Sequence, residues 1–62
     1  MPESGKREIL FEFVTLGSSV KVTAIDAATG VEASIVGPAS SPRAALESAA
    51  LQKLRYVMSK SS

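Results

Sequence analysis

Two stretches of turn-forming residues determine how this chain can fold. Gly17-Ser18 is suited to a two-residue type II′ hairpin, because glycine readily adopts the positive φ that the first turn position needs. In the segment DAATG, the Asp26 carboxylate can accept hydrogen bonds from the amides ahead of it, and Gly30 can close a longer loop in the left-handed conformation. The segments on either side are rich in apolar and β-branched residues. The pattern therefore predicts a three-stranded antiparallel meander, in the order 1-2-3.

The predicted strands cover residues 8–16, 19–26 and 31–36. The first turn places Phe11 opposite Ala24 and Phe13 opposite Val22, and the second places Val22 opposite Ile35. Both turns, inferred independently, bring one apolar set to the same face, and a slip of one residue would turn that set outward. We therefore expect this face to carry the core, with Phe11 and Phe13 as its anchors.

The residues after the third strand predict one C-terminal helix. Gly37-Pro38 is expected to end the strand, and Ser41-Pro42 to start the helix, with serine as the N-cap and proline at the first helical position. Apolar residues then recur at helical spacing and share one arc: Leu46, Ala50, Leu51, Leu54, Val57 and Met58. The predicted fold class is α+β, a βββα arrangement with the helix packed on one face of the sheet.

The length and composition of the chain narrow the classes of protein further. A chain of 62 residues holds one core, so we expect a single domain over residues 1–62, ordered from about 7 to 59, with flexible tails at 1–5 and 60–62. The apolar fraction of 45% is too high for a disordered chain, and the net charge of +1 indicates no overall preference for nucleic acid or membranes. No apolar run is long enough to cross a bilayer, so a cytoplasmic location is expected.

The acidic and nucleophilic residues do not form a recognisable catalytic pattern. Without histidine or cysteine, the chain has no neutral-pH imidazole base, thiolate or disulfide. Glu12 and Glu32 share the uncovered face of the predicted sheet, but Lys21 and Thr23 lie between them, as on a solvated surface. We therefore expect a protein that is not an enzyme, with no cofactor, no metal and no small-molecule substrate.

The uncovered face of the sheet is the most informative feature for function. By the parity of the strands it carries five large apolar residues: Leu10, Val14, Leu16, Ile25 and Val36. Scattered apolar residues are ordinary on a surface, whereas contiguous ones on a sheet often mark a partner site. Dimerisation would also enlarge the small core. The leading hypothesis is a protein-interaction module that forms a homodimer or docks another protein through this face.

A group of basic residues supports a second hypothesis. An antiparallel helix would end near the start of the first strand, which gathers four cations at one pole of the domain: Lys6, Arg7, Lys53 and Lys60. Cations near a helix C-terminus otherwise complement the helix dipole. The alternative function is weak nucleic-acid binding through this pole.

Two resemblances extend over most of the chain. The segments KREILFEF, VKVTAIDAATGVEASIVG and ALQKLRYVM resemble a family of short uncharacterised alphaproteobacterial proteins, which implies a compact bacterial domain of unknown function. The order of elements from residue 8 to 58 is also similar to the C-terminal half of a double-stranded-RNA-binding domain. That family carries an N-terminal helix and a lysine cluster at its last helix, where this chain has a short tail and the sequence SPRAA.

Overall fold

The computed structural model describes residues 8–60, which form three strands and one helix. The strands are β1 (Ile9–Leu16), β2 (Ser19–Asp26) and β3 (Glu32–Pro38), and the helix is α1 (Arg43–Lys60). The sheet is antiparallel with the order β1-β2-β3, and α1 packs on one of its faces. The predicted α+β class is confirmed. The predicted tails at 1–5 and 60–62 lie outside the described residues except for Lys60, which is the last residue of α1 and not part of a tail.

Both turns adopt the predicted geometry and set the predicted register. Gly17 has a φ of 62°, and no described residue other than glycine has a positive φ, which is the sign pattern of a type II′ turn at Gly17-Ser18. In the second loop the Asp26 Oδ1 atom accepts from the Ala28 amide at 2.9 Å, and Gly30 has a φ of 80°. The pairs predicted across both turns, such as Phe13 with Val22, are all present.

The third strand differs from the prediction at both ends. It begins one residue later and ends two residues later than the predicted range of 31–36. Gly37 does not end the strand but pairs with Val20. A Cβ atom at Gly37 would lie 2.7 Å from Leu46 Cδ2, so the missing side chain lets the helix approach the sheet closely. The glycine that looked like a strand terminator is therefore a packing residue.

The start of α1 is also shifted from the prediction. The helix begins at Arg43, and the Pro42 carbonyl accepts from the amides of Ala45 at 3.1 Å and Leu46 at 3.2 Å. Pro42 thus supplies the first helical acceptor and occupies the cap position that the sequence pattern assigned to Ser41. Arg43 and Glu47 form an ion pair one turn apart, with 3.8 Å between Nε and Oε2.

The core lies between α1 and the second and third strands. Its buried apolar members come from β2, β3 and the predicted arc of the helix: Val20, Val22, Ala24, Ala33, Leu46, Ala50 and Leu54. The helix lies mainly over β2 and β3, and Ile9, Phe11 and Phe13 of β1 pack against the core from the side. This sideways offset of α1 leaves β1 as the least covered strand.

Candidate interaction surface

The first strand is rich in apolar residues, yet none of its residues is fully buried. Six of the eight residues in ILFEFVTL are apolar, whereas β2 buries five of its eight residues. Phe11 and Phe13, predicted as core anchors, are only half-buried because α1 lies over the other two strands. Part of the cover for Phe13 comes from Arg43, whose guanidinium carbon lies 4.0 Å from the ring centroid. The most apolar strand is thus the least well covered.

The free edge of β1 carries a row of outward-pointing backbone groups. The Ala27 amide donates to the Glu8 carbonyl at 3.0 Å, which makes these two residues a hydrogen-bonded pair. In an antiparallel ladder such pairs alternate, so the backbone of every second residue points away from β2: Ile9, Phe11, Phe13 and Thr15. Among residues 8–60, no backbone group bonds to these four from the outer side. We call this row the β1 edge; the parity of the strands already implied it, but our sequence reasoning considered only faces.

The opposite edge, on β3, is blocked at two of its four outward residues. The Asp26 amide donates to the Val31 carbonyl at 2.9 Å, which makes these two residues a hydrogen-bonded pair. Because such pairs alternate, the backbone groups of four residues point away from β2: Glu32, Ser34, Val36 and Pro38. Lys53 reaches from α1 and donates from Nζ to the Ser34 carbonyl at 2.7 Å. Pro38 has no amide hydrogen, and its carbonyl accepts from the amide three residues later at 3.0 Å. A lysine and a proline are ordinary means of blocking a sheet edge.

An open groove lies between the start of β1 and the C-terminal half of α1. Its volume is about 540 Å³, and its walls are formed by six residues: Ile9, Leu51, Leu54, Arg55, Met58 and Ser59. At 100° per residue, Leu51 and Met58 point to one side of the helix and Lys53 to the other. Since Lys53 reaches β3, the groove opens on the side of β1. No local sequence pattern predicts this groove, because it depends on where the helix lies across the sheet.

The surface of the sheet that faces away from α1 is the open face. Four of its five predicted apolar residues are exposed, namely Leu10, Val14, Leu16 and Val36, while Ile25 is half-buried. The five do not form the contiguous surface that the sequence predicted. A polar row of Glu12, Thr23 and Ser34 crosses all three strands between them.

The polar row is itself ordered. The hydroxyl groups of Thr23 and Ser34 are 2.8 Å apart, and Thr23 is buried. Leu10 and Ile25 lie on one side of this row, and the remaining apolar residues lie on the other. Three of the five apolar positions belong to β1, so the apolar character of the open face is concentrated beside the β1 edge.

The two lysines of the basic pole that the structure describes make separate contacts. Lys53 donates to β3, and the Lys60 ammonium lies 5.4 Å from the centre of the Tyr56 ring. Lys6 and Arg7 lie outside the described residues. Within residues 8–60, the pole therefore consists of two lysines with different partners.

The carboxylates have separate surroundings. Glu12 and Glu32 are exposed on the open face, and Asp26 is buried in the second loop, where it accepts from the Ala28 amide. Residues 8–60 hold no group of three or more acidic, histidine or cysteine side chains that could bind a metal. The one helix in this part of the chain lacks the length and apolar content needed to cross a membrane. The features that remain for a function are the open face, the β1 edge and the groove.

Likeness to a protein family spans nearly the whole chain. No curated protein and no solved structure matches it. A family model, whose description assigns no activity, covers residues 6–61. On that match the chain belongs to the family described as a domain of unknown function (DUF6898).

Proposed function

We propose that this protein is a small non-enzymatic interaction module that self-associates or docks another protein through the open face. The observation that carries the proposal is the exposure of β1. Leu10, Val14 and Leu16 on the outer side of this strand are 46%, 48% and 54% exposed. On its inner side, Phe11 and Phe13 are only half-covered.

Burial energetics support an association that covers β1. Each large apolar side chain that moves from water into an interface contributes up to about 1.5–3 kcal/mol. Among residues 8–60 only seven apolar residues are buried, and three of them are alanines. Several partly covered side chains on one strand therefore represent a substantial reserve of stabilisation for so small a domain.

The best test places one charge on the part of the open face that β1 contributes. Val14 pairs directly with Lys21 on β2, so Val14→Glu gains a neighbouring cation and leaves the core of the single chain intact. The mass of the parent in solution should rise with concentration, measured by sedimentation, and the variant should remain a folded monomer over the same range. Ile25→Lys is a poorer probe than the sequence suggested, because Ile25 is half-buried in the single chain.

Tyr56→Glu is the matched control for this measurement. Tyr56 is 63% exposed on the outer side of α1, so the same charge is introduced at a comparably exposed site away from the sheet. It should leave the association unchanged. A parent chain that sediments as a monomer at millimolar concentration would overturn self-association.

The alternative function, weak nucleic-acid binding, has less support. It depends on the basic pole, and Lys53 already donates to a backbone carbonyl of β3. The proposed bacterial origin rests on the resemblance of the sequence, and the proposed cytoplasmic location rests on the expectation drawn from the length of its apolar runs.

A further inference from the structure

We propose that the β1 edge pairs with the β1 edge of a second copy, antiparallel about a two-fold axis at Phe11, to form one six-stranded sheet. The inference rests on the proposed function, since it describes the self-associated state. It goes beyond that function by placing the backbone contact between copies at the β1 edge, beside the apolar residues that β1 contributes to the open face.

Hydrogen bonding favours a strand as the occupant of this edge. Ile9, Phe11, Phe13 and Thr15 present amides and carbonyls in the plane of the sheet, with the spacing that a paired strand requires. Strand addition at such an edge satisfies the main chain, while the alternating side chains enter pockets on either side. The groove between β1 and α1 provides such a pocket beside the strand.

The protection of β3 favours a closed dimer of two copies over a fibre. A chain with two open edges would add strands without limit, whereas a chain with one open edge stops at a pair. Lys53 and Pro38 occupy the β3 edge. Pairing through β1 therefore leaves the protected β3 strands at both ends of the combined sheet.

Three registers of the two β1 strands pair at least three of the four outward residues with one another. Charge repulsion rules out one of the three. Outward residues must face outward residues, which places the two-fold axis at Phe11, Glu12 or Phe13. An axis at Glu12 sets the two Glu12 carboxylates directly opposite each other, and like charges in that position are destabilising.

The groove discriminates between the two registers that remain. An axis at Phe13 places Gly17 of the second copy opposite Ile9, so no side chain reaches the groove. An axis at Phe11 places Phe13 of the second copy opposite Ile9, which is one of the groove residues. The aromatic ring then lies beside the apolar walls formed by Leu51 and Met58. On the outer side, Glu12 faces Leu10 of the second copy, so no two like charges are directly opposed.

Amide hydrogen exchange tests the edge pairing. Within one chain, the amides of Leu10, Glu12 and Val14 bond to β2, whereas those of Ile9, Phe11 and Phe13 point outward. The second set should exchange rapidly in dilute solution and slow at least tenfold at concentrations where the mass has doubled. The first set is an internal control, protected in both states. Fast exchange of Phe11 in the dimer would overturn the inference.

Cysteine cross-linking tests the register, and the chain contains no cysteine to interfere. An axis at Phe11 puts Leu10 opposite Glu12 of the second copy as a non-hydrogen-bonded pair, with Cα atoms about 4.5 Å apart. Mixing Leu10→Cys with Glu12→Cys should give mainly the mixed disulfide on mild oxidation. Dominant cross-linking of Glu12→Cys with itself would overturn the Phe11 register.

A charge at Val36 separates the failure of this inference from the failure of the proposed function. Val36 is 64% exposed on the open face, pairs with Lys21 and lies two strands from the β1 edge. Val36→Glu should leave the edge dimer intact. The contact is the open face if three results are obtained together. The parent associates, Val36→Glu dissociates it, and the exchange rate of the Phe11 amide does not change with concentration. The inference is then wrong while the proposed function stands. A monomeric parent overturns both self-association and the edge pairing.

Discussion

The two edge strands of this sheet are treated in opposite ways. β3 is covered by α1 on one face, ends in a proline and has an outward carbonyl bound by Lys53. β1 is the more apolar strand, yet none of its residues is fully buried, and its outward backbone groups have no partner among residues 8–60. This difference between the two edges is the basis of the proposed pairing through β1.

The largest effect on the free energy of unfolding is expected in the core that α1 forms with β2 and β3, and it should exceed the effect at the less covered β1. Leu54 is fully buried, so Leu54→Ala should lower the free energy of unfolding by about 2–5 kcal/mol. Phe11 is half-buried, and in dilute solution Phe11→Ala should cost only about 1.5–2.5 kcal/mol, less than for a fully buried phenylalanine. Chemical denaturation at low protein concentration measures both. Equal losses would mean that β1 is as well packed as the helix side.

An intermediate effect distinguishes the two sides of β1 itself. Val14→Pro removes an amide that bonds to Lys21, whereas Thr15→Pro removes one that points outward. In the monomer, Val14→Pro should therefore cost about 1–3 kcal/mol more than Thr15→Pro. Thermal melts of the dilute variants compare them directly. A larger loss of stability for Thr15→Pro than for Val14→Pro would show that the outward-pointing amides belong to the other set of residues.

A smaller effect on stability concerns the protection of β3. Lys53→Gln replaces the ammonium that donates to the Ser34 carbonyl with a shorter, neutral amide, which should cost under about 1 kcal/mol because the contact is exposed. Its more visible result should be assemblies larger than a dimer, since both edges of the sheet would then be open. Sedimentation of the variant beside Lys60→Gln, a lysine that does not contact β3, provides the comparison. Identical mass distributions would argue against a protective role for Lys53.

The smallest effect is expected on the binding of nucleic acid. If the basic pole contacts phosphates, retention of a nucleic acid must weaken as salt is raised and must decrease when Lys60 is neutralised. Because Lys53 is already engaged at β3, Lys53→Gln should change retention less than Lys60→Gln does. Filter binding at low salt compares the two variants. A larger loss with Lys53→Gln would make β3, not β1, the functional edge.

Local sequence was sufficient for the number of strands, their order and their register, although not for the ends of β3. Gly17 and Gly30 adopt the positive φ values that their turns require, and Asp26 forms the expected contact with the amide of Ala28. Since a turn and a period of two fix which side chains share a face, the parity of all three strands followed from a few residues. The arc of α1 followed in the same way from its period of 3.6.

The sideways position of the helix was decided only by the tertiary structure. The periodicity of α1 specifies which of its side chains face the sheet, but it does not specify which strands they cover. That choice depends on contacts between residues far apart in the chain, such as the close approach of Leu46 to Gly37 and the bond from Lys53 to Ser34. Both lie on the β3 side of α1, and the same displacement opens the groove beside Ile9 and leaves β1 only partly covered.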